Sequence, residues 1–375
     1  YDEPHYLSNV EVINQWGLGS EFIKNLKGPA GPLHAYLHYF FYPLTQGDVF
    51  YTRIINVLLG SGIVFFLYKI LSLSQQGKGK LAMLLFSIPM TFSAFGIAHT
   101  EVPAMFFYTL FLWVTFYIYK QNKRSLLLIL LASVFMSLAI AGRQPYLVCL
   151  GGLLPFCWAS YKNEKFPTAY IMIGILSLLM PLYLFYTWGG IAPVIGRSIV
   201  TKDLVSPFHF ILSLGYAAVV MLLLAPDFFL RLTKKQLLIY IISLPICIGI
   251  CVAGDFSFIV MYTTVKAILP ASLLPFAGNV MAAALMVVGI YFIHSLLARC
   301  TERPNDHWLH GVCIAAFLLL LTNMMVTHIF STRYIFQAAP LFIIIASYFS
   351  ENSWRDLSLN TAGVALGMLS FLMYE

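Results

Sequence analysis

The stretch SLLLILLASVFMSLAIAGRQPYLV, residues 125–148, has no ionisable group before Arg143 and then sets an arginine beside a glutamine. An apolar run of this length matches the hydrocarbon core of a bilayer crossed as α-helix, about 17–25 residues. Runs of the same kind recur at 54–71, 81–97, 102–119, 125–141, 145–160, 168–188, 209–226, 237–254, 276–297, 309–327, 334–349 and 358–374, twelve in all. Lipid offers backbone groups no hydrogen-bond partner, so such runs must be helices; barrel strands would alternate apolar and polar residues. The expected fold class is all-α, a polytopic transmembrane helical bundle of about twelve spans. Residues 1–53 would form a long first non-cytoplasmic loop and 54–375 the transmembrane domain.

Composition agrees: 60% of residues are hydrophobic and 10% charged, outside the range of soluble domains. In such a chain the net charge of +7 is first a matter of membrane sidedness, and the expected partner is the bilayer, not nucleic acid. Six cysteines, Cys149, Cys157, Cys247, Cys251, Cys300 and Cys313, fall in or beside apolar runs without zinc-site or disulfide spacing, and read as packing residues.

Threading the runs alternately puts fourteen of the 22 Lys and Arg in one set of loops, such as QQGKGK (75–80) and KQNKRS (120–125), and eight in the other. The positive-inside rule makes the richer set cytoplasmic. The other face collects the polar residues least expected in such a chain: Asp2, Glu3, His99, Glu101, Arg143, Gln144, Lys202, Asp203, His209, His328 and Arg333. Ionisable groups at the membrane boundary are costly and mark function. Glu101 and Pro103 also suit the first turn of a helix. Arg143 cannot be neutralised and calls for a carboxylate or phosphate; Arg333, beside Tyr334, repeats the pattern. His34 and His38 lie four apart in a segment expected at the interface. They lack a third ligand at metal spacing, so no metal or cofactor is expected.

An acidic pair opening the first loop (YDEPHY, 1–6), GPAGPL (28–33), an acid in a short outer loop (HTE, 99–101) and a late Arg-Tyr (333–334) resemble the GT-C superfamily of lipid-linked-sugar glycosyltransferases. GRQPYLV (142–148) and residues 188–216, with Asp203 ahead of His209, resemble its endoplasmic-reticulum α-1,2-glucosyltransferases. Pro145 and Tyr146 stand where that sub-family has Thr and Asn. The resemblance implies transfer of a sugar from a polyprenyl- or dolichyl-phosphate donor to a hydroxyl of a glycan, lipid or protein acceptor at the non-cytoplasmic face. It also implies a helix ahead of Tyr1, which would make thirteen spans. Asp2 would be the base, with Glu3 or Glu101 orienting acceptor or sugar. His99, Arg143, Gln144, Asp203, His209, Arg333 and Tyr334 would bind substrate. The location would be a bacterial plasma membrane, or the endoplasmic reticulum in a eukaryote. A transporter or lipid-linked-sugar flippase is the alternative that the same charges allow.

Overall fold

The computed structural model describes all residues except 1–2, 75–76, 163–166, 194–204, 260–265, 267, 327–329, 352 and 373–375, and at 3–6 the backbone alone. Among the described residues the regular structure is helical, with no strand. The first segment folds as α1 (Glu3–Trp16), α2 (Ser20–Lys24), α3 (Leu33–Phe40) and α4 (Tyr42–Thr45). Then follow α5 (Val49–Ser74), α6 (Met90–Gly96), α7 (Glu101–Gln121), α8 (Leu126–Gly142), α9 (Leu154–Lys162) and α10 (Thr168–Trp188). The remainder comprises α11 (Pro207–Leu224), α12 (Lys234–Ala253), α13 (Leu274–Thr301), α14 (His307–Leu321), α15 (Arg333–Phe336), α16 (Ala339–Ser347) and α17 (Trp354–Leu372).

Among the described residues seven helices are long and apolar enough to cross a membrane: α5, α7, α10, α11, α12, α13 and α14 with the 3₁₀ turn that extends it to Met325. An eighth crossing results if the 3₁₀ stretch Lys78–Ser87 and α6 form one span, bent by 83°. Three apolar runs expected as single helices are broken, each at a proline. Ile88 is extended (φ −84°, ψ 116°) ahead of Pro89, the conformation a following proline favours. Run 145–160 starts as a 3₁₀ helix, Gln144–Leu153, and becomes α-helical only at Leu154. Pro340 stands in the first turn of α16, where its missing N–H costs nothing, and separates that helix from α15. Helix α5 begins before residue 54, because the Asp48 carboxylate accepts the N–H groups of Phe50 (2.8 Å) and Tyr51 (3.3 Å) at its start.

Helix α7 is the most enclosed span, with 72% of its apolar window buried, while α12 has 11% and presents most of its surface outward. Small residues set the close contacts, as expected where lipid provides no hydrophobic drive between helices. A Cβ on Gly215 of α11 would stand 2.5 Å from the Leu285 carbonyl oxygen of α13.

Two ends of the bundle are polar. At one, Lys78 Nζ donates to the Ser347 carbonyl (2.5 Å), and Arg299 donates to the Phe228 and Asp227 carbonyls (2.9 and 2.6 Å). Arg355 lies 3.6 Å from the Asp227 carboxylate at the same end. At the other, the first segment is clamped to the bundle. The Trp188 indole donates to Ile23 O (2.9 Å) and Gly31 N donates to Gly142 O (3.2 Å), while Asn9 and Lys27 exchange two hydrogen bonds within the segment itself. A side chain at Gly31 would collide with the Ala141 carbonyl oxygen, so glycine is required for this approach.

Helix α3 turns Leu33, His34, Ala35 and His38 inward. The two imidazoles meet edge to face, centroids 4.3 Å apart, and neither His38 nitrogen has a hydrogen-bond partner among the described residues. Burial pushes His38 down to about 4 and His34 well below its ordinary value. Between about pH 6.5 and 4 the unfolded chain takes up a proton at His38 that the folded chain refuses, so stability is full above that window and falls as pH falls through it. For His38 alone the loss approaches about 3 kcal/mol. Limited proteolysis of the first segment should therefore accelerate from pH 7 to pH 4.5, and His38→Phe should blunt the effect. Equal pH dependence in the variant would refute a neutral buried His38.

Candidate active site

Three separate connections converge on one carboxylate. Thr100 ends the turn after α6, and Glu101 opens α7 with its side chain 1% exposed. The turn is held from α5, where the buried Asn56 donates to the Ile97 and His99 carbonyls (2.8 and 3.3 Å). Arg143 ends α8; its backbone is extended (φ −142°, ψ 107°), so the chain leaves the helix axis and the side chain reaches across to α7. Arg143 Nη2 lies 2.9 Å from Glu101 Oε1, an ion pair rather than an aligned hydrogen bond, and Arg143 Nη1 donates to Thr100 Oγ1 at 3.5 Å. Thr100 Oγ1 in turn donates to Glu101 Oε2 (3.3 Å). His99 Nδ1 is 3.9 Å from the same oxygen, and Arg333 Nε approaches Glu101 Oε1 at 4.0 Å.

Arg333 arrives there through aromatic packing. The Tyr146 hydroxyl donates to Gln337 O (3.0 Å) and its ring stacks on Tyr108 (4.6 Å), which ties the segment after Arg143 to the segment after Arg333. Phe336 packs on Phe95 of α6 (6.1 Å). Two guanidiniums and an imidazole thus surround one buried carboxylate. Arg143 itself is 7% exposed, and its Nε–H has no acceptor among the described residues. A buried guanidinium stays charged, so this arrangement is a preformed place for negative charge.

The residues singled out from the sequence divide into groups. Glu101, His99, Arg143 and Arg333 come together, and Tyr334 is buried beside Arg333, whose guanidinium stands 5.4 Å from the Tyr334 ring centroid. Gln144 Nε2 donates to Pro29 O (3.0 Å), which ties the first segment to the residue after Arg143. His209 bonds Val326 O through Nδ1 (2.5 Å) and packs on Phe330 (5.5 Å), so its contacts are with the segment that leads to Arg333. Asp2, Asp203 and His328 lie outside the described residues, as does the side chain of Glu3. Asn56 and Thr100 escaped the sequence reading, and Tyr146 was noted there only as a departure from the sub-family; their signal is a lone hydrogen-bonding group in or beside an apolar run. Among the described residues no group of three or more His, Cys, Asp or Glu is placed to share a metal ion. A groove of about 650 Å³ on the first segment is walled by Tyr36, Tyr39, Phe40 and Tyr42, with Asn14 among its polar groups.

Comparison of the chain with protein-family models, with curated proteins and with solved structures finds no match.

Removing one partner of a buried ion pair strands the other, typically at about 3–5 kcal/mol. Glu101→Gln should therefore lower the melting temperature of the detergent-purified protein markedly. Glu101→Gln combined with Arg143→Met should recover much of the loss. A Glu101→Gln protein that melts with the parent would contradict the pairing.

Proposed function

We propose that this chain is an integral-membrane glycosyltransferase of the GT-C kind, moving a sugar from a polyprenyl-phosphate donor to an acceptor hydroxyl at the non-cytoplasmic surface. The observation that carries the reading is Arg143 and Arg333 gathered on the buried Glu101. In the reaction the acceptor oxygen bonds to the anomeric carbon, the bond from that carbon to the phosphate oxygen breaks, and the electron pair departs on the lipid phosphate. Guanidiniums held in place beforehand stabilise that developing charge without reorganising. Glu101 serves by fixing them. Its ion pairs make it a poor proton acceptor, so the acceptor proton goes to a carboxylate of the first segment, with Asp2 the candidate and Glu3 its neighbour. The tyrosine-walled groove offers aromatic faces and hydroxyls to an acceptor.

The sidedness draws support from which connections meet. Pro29, residues 97–101, Gln144 and Arg333 share one end of the bundle. Lys78, Asp227, Arg299, Ser347 and Arg355 share the other. Both groupings are those an alternate threading of the apolar runs would give, and by the positive-inside rule the second end is the proposed cytoplasmic one. A bacterial plasma membrane is the proposed location.

The helix pair bent by 83° favours a second reading, since broken helices are a feature of transporters. One experiment separates the two. Arg143→Lys keeps the charge and loses the planar fork, so donor binding and turnover should both fall, each by about tenfold or more. Purified parent and variant would be given a panel of polyprenyl-phosphate sugars, and binding and release of free lipid phosphate recorded. A variant equal to the parent in both would sink the phosphate role. Movement of sugar-lipid across vesicles without lipid-phosphate release would favour the transporter.

A further inference from the structure

At the end of the bundle away from Glu101, the termini of three membrane-length helices enclose a second polar pocket of about 310 Å³. Its wall includes Ser74, the last residue of α5; Tyr119 and Lys120 in the last turn of α7; Asp306 and Trp308 at the start of α14; and Tyr348 just beyond α16. We infer that this pocket holds the phosphate of an anionic phospholipid headgroup.

Charge decides the sign of the ligand. Lys120 lines the pocket, the Arg303 guanidinium lies over the Tyr348 ring at 5.4 Å, and Lys78 is bound to the carbonyl of the adjacent Ser347. On the wall itself Lys120 stands against one carboxylate, Asp306, which is already engaged, while Arg303 and Lys78 add positive charge behind Tyr348 and Ser347. Asp306 accepts the Leu309 N–H (3.0 Å) as the cap of α14 and also the Tyr348 hydroxyl. Within the wall, the buried Trp308 indole N–H has no hydrogen-bond partner among the described residues, a costly omission that a phosphate oxygen would correct.

Depth decides the source. The pocket sits where helices of membrane length end, among Trp, Tyr and Lys, the side chains that occupy the headgroup level. Basic pockets between helices on the positively charged side are suited to anionic headgroups. A soluble phosphate would share the chemistry but would gain nothing from this position.

The test uses the full chain in detergent, with native mass spectrometry titrations of phosphatidylglycerol and phosphatidylcholine and with melting curves in millimolar inorganic phosphate. Phosphatidylglycerol should be retained in preference to phosphatidylcholine. Lys120→Gln should weaken retention about fivefold, the effect of one basic group at a membrane surface. Trp308→Phe, which keeps the ring packing on Phe116, should weaken it too. Lys123→Gln, an exposed lysine outside the pocket, should leave retention unchanged. Retention unaffected by Lys120→Gln, an equal fall in Lys123→Gln, or equal retention of both lipids would each overturn the site. Stabilisation by inorganic phosphate that matches the lipid would overturn the lipid source. Because Lys120 is exposed, its variant should fold even if Trp308→Phe does not.

Discussion

A carboxylate and a guanidinium, 2.9 Å apart and almost wholly removed from water, are the contact on which the arrangement of one polar end of the bundle depends. Neither charge is tolerable alone in an apolar bundle, so the start of α7 and the end of α8 must meet. Once they meet, Arg333 and His99 have a place to converge, and the short loops between spans acquire fixed positions. Such a pair is weak evidence for stability, since apolar residues of similar volume could pack as well. Its retention makes better sense as a device that keeps positive charge oriented in a dry place, where it is worth far more than in water.

The first segment is built around that device. Gly31 lets its backbone touch the end of α8, Gln144 fastens it through Pro29, and α3 turns two neutral imidazoles inward. Tyr36, Tyr39 and Phe40 of the same helix line the groove. One short helix links the proposed leaving-group site to the proposed acceptor surface. The opposite end of the bundle uses similar residue types differently: there Arg299 and Lys78 satisfy carbonyls at helix ends, and Lys120 and Asp306 line a second pocket.

The all-helical character was legible because apolar runs of bilayer length have no other solution in lipid. Glu101, Arg143 and Arg333 were legible as isolated ionisable groups in short connections, and each was expected to matter. That they share one site was not legible, because they belong to three helix pairs far apart in sequence and only packing brings them together. The contact of Gln144 with Pro29 O, 3.0 Å away, was not legible either, because it joins residues 115 positions apart. The runs at 81–97, 145–160 and 334–349 looked continuous by hydropathy alone; each contains a proline, but Pro181 in α10 and Pro245 in α12 sit inside unbroken helices, so proline alone did not tell which runs break. Asn56 and Tyr146 read as ordinary members of apolar runs until their hydrogen bonds were seen.

The central claim is that Arg143 and Arg333, fixed by Glu101, receive a lipid phosphate. The most direct measurement is an experimental structure of the protein in a nanodisc with polyprenyl phosphate bound. A phosphate oxygen should lie within hydrogen-bond reach, about 3 Å, of the Arg143 guanidinium. Arg333 should be drawn toward the same group while the Glu101 pair is kept. A phosphate bound elsewhere, with Arg143 contacting Glu101 alone, would contradict the account.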